Sequence, residues 1–184
     1  MKKYLGVALL ASTVCFLPAH AAIGQGNSEV GVDYGSTSYD SNTGLDSSDS
    51  IALRGGYFIT DLFQIEGQYA SSEANSKDFG ADVKASTDLM MVNGVFNFMN
   101  KKDITPYALV GMGQAKVNVD ATGLPSSNDS GTAYQIGAGS RFFFGKAKRA
   151  AFRIDVSRIT QDTFSEKSTN TTVAGGFSWR LGGK

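Results

Sequence analysis

The most constraining feature of this chain is the alternation in its final stretch, Thr169 to Leu181, reading TNTTVAGGFSWRL. One parity carries Val173, Gly175, Phe177, Trp179 and Leu181; the other carries Thr172, Ala174, Gly176, Ser178 and Arg180. Strict alternation marks a strand with a different solvent on each side. Phe177, Trp179 and Leu181 are too bulky to crowd together inside a narrow barrel, so the apolar parity is read as the outside. An apolar exterior around a polar interior belongs to a barrel dissolved in lipid.

The start of the chain points to export. Lys2 and Lys3 form a positive n-region, Leu5 to Leu17 an apolar run, and Ala19-His20-Ala21 an A-x-A cleavage site. Residues 1–21 are therefore expected to be a cleaved signal peptide, with 22–184 as a single barrel domain. The apolar run is too short to span a bilayer as a helix. Val14, where a lipobox wants a small residue, makes Cys15 part of the signal and not a lipid anchor.

Cleavage would remove the only Cys and the only His, and with them disulfide, thiol and imidazole chemistry. It would also reduce 17 basic residues to 15 by loss of Lys2 and Lys3, against 17 acidic ones, a net charge of −2. That balance gives no reason to expect a nucleic-acid partner.

No later stretch is apolar for long enough to cross a membrane as a helix. Strands need an apolar residue only at every second position, and eight segments satisfy that. They are Ser28 to Ser36, Ser50 to Ile59, Leu62 to Ala70, Thr87 to Met99, Ile104 to Val119, Thr132 to Phe144, Ala150 to Ile159 and Thr169 to Leu181. The third alternates most cleanly, with Phe63, Ile65 and Tyr69 outward and Gln64, Glu66 and Gln68 inward. In the fourth, Met90, Val92, Phe96 and Phe98 are assigned outward against an opposite face that is almost as apolar. In the fifth, Tyr107 is expected to face lipid, on a parity shared with Leu109, Val117 and Val119.

The predicted connections alternate long and short. Polar loops are expected at 39–49, 71–86, 120–131 and 161–168, and short turns at 60–61, 100–103 and 145–149. This is the layout of an all-β, eight-stranded antiparallel up-and-down transmembrane barrel, with short turns in the periplasm and long loops outside. Tyr57, Phe58, Phe63, Phe96, Phe98, Tyr107, Phe142, Phe144, Phe152, Phe177 and Trp179 cluster near the short-turn ends, where a periplasmic aromatic girdle belongs. Tyr34, Tyr69 and Tyr134 would begin the outer girdle.

Three segments carry a resemblance: Thr105 to Gly113 (TPYALVGMG), Tyr134 to Phe142 (YQIGAGSRF) and Gly176 to Leu181 (GFSWRL). In order and spacing they resemble the OmpA/OmpX-type eight-stranded outer-membrane barrel family, over the whole mature chain. The resemblance implies location in the outer membrane of a Gram-negative bacterium. It also implies insertion by the barrel-assembly machinery, which would read Phe177, Trp179 and Leu181 on the last strand. Members often end on Phe or Trp, whereas this sequence ends Leu181-Gly182-Gly183-Lys184, so the signal is expected slightly upstream. No periplasmic domain follows the barrel in this sequence, and a peptidoglycan tether is not implied.

Asp33, Arg54, Glu66, Arg141, Arg153, Asp155 and Arg180 fall on inward parities. They are either a pore lining or a plug of ion pairs, in which Arg180 is a candidate partner for Glu66 or Asp33. A lumen just wide enough for side chains, together with the cost of unpaired buried charge, favours the plug. A catalytic reading is weak, because Ser residues abound without an adjacent general base. No cofactor motif is present, since Gly111-Met112-Gly113 lacks the third glycine and the strand-to-helix context of a dinucleotide fingerprint. Asp40, Asn42, Asp46 and Asp49 are oxygen ligands of the kind calcium takes, without a recognised spacing. Phe79, Leu124 and Phe164 are isolated apolar groups that would offer contacts to a host surface or ligand.

Two functions follow as expectations. One is a structural and surface-interaction protein, embedded among outer-membrane lipid and lipopolysaccharide and displaying polar loops for adhesion or shielding. The other is a narrow porin-like channel for small solutes or ions. A ligand binder between the loops, and a soluble lipocalin-like barrel with its faces reversed, are further alternatives.

Overall fold

A computed structural model describes residues 24–39, 47–76, 83–98, 103–121, 127–145, 147–163 and 166–182. The predicted signal peptide, and Asp40, Asn42, Asp46, Phe79, Leu124 and Phe164, lie outside the described residues. The strands are β1 (Ser28–Ser38), β2 (Ser48–Phe58), β3 (Phe63–Ser76), β4 (Val83–Asn97), β5 (Ile104–Ala121), β6 (Ser127–Phe144), β7 (Ala150–Thr163) and β8 (Glu166–Leu181). Each pairs antiparallel with its sequence neighbours, and β8 closes on β1 through Ser28↔Leu181 to Ser38↔Thr171. Closure removes every sheet edge and satisfies the backbone internally, as lipid requires.

The register sets the geometry. Crossing from strand to hydrogen-bonded strand, Ser28 leads through Tyr57, Ile65, Gly94, Val110, Ile136, Arg158 and Thr171 to Ser38, ten residues along the starting strand. A shear of ten over eight strands, at about 3.3 Å per residue and about 4.8 Å between strands, tilts them roughly 40° and gives a backbone radius of about 8 Å. A lumen of that width is filled by side chains.

Strand length departs from expectation. β1 and β2 have 11 residues, about what a bilayer requires, whereas β5 and β6 have 18. Much of the polar sequence expected to form loops is paired. Ser71–Ser76 faces Val83–Asp88, Ser127–Gly131 faces Ala115–Val119, and Gln161–Thr163 faces Glu166–Ser168. Above the lipid both faces of a strand meet water, so alternation fades. The hydrogen-bonded ladder continues because the backbone groups still pair best with their neighbours.

At the opposite end the turns are short. Thr60 Oγ1 accepts hydrogen bonds from the backbone N–H groups of Leu62 and Phe63 at 3.3 and 3.0 Å, which folds the β2–β3 turn around one hydroxyl.

The outward parity is apolar as expected in most strands. Ile65, Val92, Phe96, Ile136, Val156, Phe177 and Trp179 are exposed on the exterior. Strand β5 is the correction. Tyr107, Leu109 and Val117 point into the barrel, and the lipid-facing residues are Val110 and Met112; Leu109 is 3 % exposed and Val110 65 %. Both parities of β5 are apolar, so periodicity alone does not orient it. Pairing does, because Tyr107 lies opposite the inward Asn97 of β4. Phe58 is corrected likewise: it is fully buried, closing the lumen floor with Phe143 and Ala151 instead of joining the girdle.

Candidate functional site

The lumen holds the densest chemistry. Side chains two apart on a strand share a face, so Asp33 of β1, Arg54 of β2, Glu66 of β3, Arg141 of β6, Arg153 and Asp155 of β7, and Arg180 of β8 all point inward. The structure brings all seven together and adds Glu29 of β1, which the sequence reading left out. Four guanidinium groups thus face four carboxylates, and each of these eight side chains belongs to a residue no more than 8 % exposed.

Glu66 sits at the centre. Its Oε1 accepts from Arg54 Nη1 at 3.2 Å and its Oε2 from Arg153 Nη1 at 2.7 Å. Arg54 Nε also donates to Asp33, and its Nη2 lies 3.5 Å from Asp155. Arg153 reaches Glu29 and Asp155 at 3.5 Å each and donates to the Tyr107 hydroxyl through Nε and Nη2, at 3.2 and 3.0 Å. Tyr107 in turn donates to Asp155. Its ring lies between two cations, 4.5 Å from the Arg141 guanidinium carbon and 4.9 Å from that of Arg153. A phenol facing lipid would have none of these partners, which is the physical reason for its inward orientation.

Arg141 carries the lower part of the network. It donates to Glu29 at 3.0 Å, to Asn97 Oδ1 at 2.5 Å and to Gln64 Oε1 at 2.7 Å. Arg180 was expected to pair with Glu66 or Asp33. It lies instead 3.6 Å from Glu29 and 3.8 Å from the centroid of the Phe143 ring. The shear accounts for the difference: Glu29, directly opposite Arg180 in the register, lies at its level, whereas Asp33 and Glu66 lie higher in the barrel. Every strand contributes to the network, with Asn97 representing β4 and Tyr107 β5.

Glycines make room for it. A Cβ at Gly139 would fall 2.5 Å from the Tyr107 hydroxyl and 2.7 Å from Cζ, and a Cβ at Gly176 would overlap the Asp33 carboxylate. Glycine in these strands is a seat for a lumen side chain.

Apolar layers bound the network on both sides. Phe58, Phe143 and Ala151 close it toward the short turns. Toward the long-strand end, Ala52, Ala70, Leu89, Met91, Ala115, Ala133 and Ile159 form an aliphatic layer. Above the charges lies a cup of ≈ 610 Å³, open solvent included, with Thr37, Ser50, Thr87 and Thr172 among its hydroxyl-bearing walls and Asp33 and Arg54 in its base. Paired charges in this arrangement are held in place by one another, with Asp33 and Arg54 at the boundary to the cup.

Of the predicted girdle, Tyr57, Phe63, Phe96, Phe98 and Phe144 are exposed on the outer surface with Phe177 and Trp179, and Phe142 and Phe152 are half-buried on the same parity. Phe152 and Phe177 make an edge-to-face pair at 5.4 Å, as do Phe96 and Phe98. Leu181 is half-buried at the end of β8. Among the described residues there is no His, no Cys and no cluster of three metal-ligating side chains.

Glu29 was legible in principle, because it shares a parity with Asp33 four residues on. Its place at the edge of β1 hid whether the membrane span reached it.

A closed eight-stranded barrel with an apolar belt outside and a neutralised charge network inside is an outer-membrane β-barrel. The chain belongs to the outer membrane protein beta-barrel domain family, whose model matches residues 7–180. That family consists of outer-membrane barrel proteins.

Among solved structures the fold is similar to Neisserial surface protein A, with a TM-score of 0.70 and 14 % identity over 85 % of this chain and 100 % of that one. It is similar to Ail, the attachment invasion locus protein of Yersinia pestis, with a TM-score of 0.59 and 19 % identity over 85 % and 99 %. The N-terminal barrel domain of Pseudomonas aeruginosa OprF gives 0.53 and 20 % over 85 % and 99 %. At these identities the likeness concerns the fold. No curated protein sequence matches the chain.

Proposed function

We propose that this protein is a sealed anchor of the Gram-negative outer membrane, which supports the envelope and presents a rigid polar surface for adhesion or shielding. The observation that carries this reading is the lumen network, in which four arginines and four carboxylates interlock between an aromatic floor and an aliphatic layer. An ion crossing it would have to part buried pairs, at several kcal/mol. The long polar ends of β3 to β8 support the second half of the reading. They carry the ladder beyond the lipid and stiffen what polar sequence alone would leave as loops. The neighbour whose name includes attachment gives that display its direction.

Insertion would depend on the barrel-assembly machinery reading Phe177, Trp179 and Leu181 on the closing strand. The surroundings would be outer-membrane lipid and lipopolysaccharide, and the displayed surface would meet a host or surface ligand.

The test is conductance in planar lipid bilayers. The wild-type barrel should be silent, and a variant that dismantles the plug, Glu66→Ala with Arg153→Ala, should conduct. Stable wild-type channels would overturn the sealed reading in favour of a narrow channel for small solutes or ions.

A further inference from the structure

The exterior of the barrel carries one feature that neither the plug nor the displayed surface uses. A groove crosses the lipid-facing wall from Phe63 and Phe96 on β3 and β4 to Arg158 and Thr171 on β7 and β8. Gly94, Ala108 and Ala138 form its low ground, and Ala108 and Ala138 face each other across the β5–β6 ladder. It follows the hydrogen-bonded row that also fixes the shear. From β7 to β3 that row crosses four inter-strand steps, or roughly 19 Å at about 4.8 Å each. Because the row climbs with the tilt, Arg158 lies at the upper margin of the apolar belt and the two phenylalanines at the lower.

Arg158 is exposed and makes no ion pair among the described residues. Its neighbours across the ladder are Ile136 and Thr171. One step further toward the polar end stand Tyr134, Thr160 and Thr169, of which the two threonines share a hydrogen bond at 3.2 Å. No carboxylate lies among them. The next outward acid on these strands is Asp162, four residues beyond Arg158 and opposite Lys167. A guanidinium with hydroxyl-bearing residues at nearby ladder positions and no competing acid suits an anion, and arginine is well matched to phosphate. An arginine at the edge of a belt ordinarily reaches up into water. Here an apolar trough opens beneath it.

We propose that this groove is a specific binding site for a phosphorylated lipid of the outer leaflet, lipid A, with a phosphate held by Arg158 and one acyl chain laid over Ala138 and Ala108. The charge of the head, the apolar floor and the length of the trough each match one part of that molecule. Its companion cation Lys116 stands opposite Asp88 and Ser130, away from the groove, and takes no part.

The test is native mass spectrometry of the refolded full-length barrel in detergent with purified lipid A, phosphatidylglycerol or phosphatidylethanolamine. One lipid A should be retained in preference to either phospholipid. Arg158→Gln removes a charge-assisted contact and should lower retention about tenfold. Ala138→Phe, which fills the trough from outside, should lower it comparably, and Ala108→Val serves the same purpose if that variant does not refold. Lys116→Gln should leave retention unchanged. Folding of each variant is checked by its migration before and after boiling. Retention indifferent to Arg158→Gln, or to filling the trough, would overturn the proposal. So would equal loss with Lys116→Gln, which would mean diffuse charge attraction, or displacement by inorganic phosphate, which would mean a site for the free anion.

Discussion

Replacing Glu66 by Gln probes the network at its centre with almost no change of shape. Glu66 accepts from Arg153 at 2.7 Å and from Arg54 at 3.2 Å. At an effective dielectric constant of about 20, those two attractions amount to about 6 and about 5 kcal/mol. Most of that is offset, because the neutral amide no longer has to be held out of water as an ion. What remains is the cost of two guanidinium groups that have lost a counter-charge, and removing one partner of a buried pair typically destabilises by about 3–5 kcal/mol.

The assay is urea unfolding in lipid vesicles followed by the fluorescence of Trp179. It is the only tryptophan, and it lies 43 % exposed on the lipid-facing side. Adding Arg153→Gln restores neutrality, so the double variant should cost less than the sum of the two singles, by about 1–3 kcal/mol. If Glu66→Gln falls within about 1 kcal/mol of the wild type, below the buried-pair range, or the two changes add without coupling, the lumen is wet enough to screen its charges and the sealed reading fails.

Three further outcomes are expected. Tyr107→Phe leaves Asp155 without its hydroxyl donor and Arg153 Nε without its acceptor, and should destabilise by about 1–3 kcal/mol in the same assay; no change would mean that the ring's packing alone holds it. With single cysteines introduced on β5, Val110→Cys should react with a membrane-soluble maleimide and Leu109→Cys should resist it, the reverse of what a lipid-facing Tyr107 parity would give. Ile65→Arg places a charge on the lipid side of β3 and should cost about 2–4 kcal/mol or prevent insertion, read as loss of the faster-migrating folded band; insertion as efficient as wild type would contradict the outward assignment of Ile65.

Strand β3 shows what a sequence of this kind determines without help. Phe63, Ile65 and Tyr69 alternate with Gln64, Glu66 and Gln68, so the two faces declare their solvents and the strand its orientation. Repeated along the chain, that contrast establishes strand number, closure and an exterior adapted to lipid. It is local information, because a side chain's parity is set by its own backbone. Where the contrast is absent, nothing local replaces it. Strand β5 carries apolar residues on both parities, and only its hydrogen-bonded partners turn Tyr107 and Leu109 inward. Polar stretches such as Ser71–Ser76 read as loops because water on both faces erases alternation, although their backbones remain paired.

Tertiary structure decided the pairing of the charges. Inward parity identified Arg54, Glu66, Arg141, Arg153, Asp155 and Arg180 as lumen residues. Which guanidinium meets which carboxylate depends on how far each strand is displaced along its neighbour. A shear of ten puts Glu29 beside Arg180 and Arg141, and Glu66 between Arg54 and Arg153. That displacement accumulates over the full circuit of the barrel and is fixed only when β8 meets β1, so no single segment encodes it.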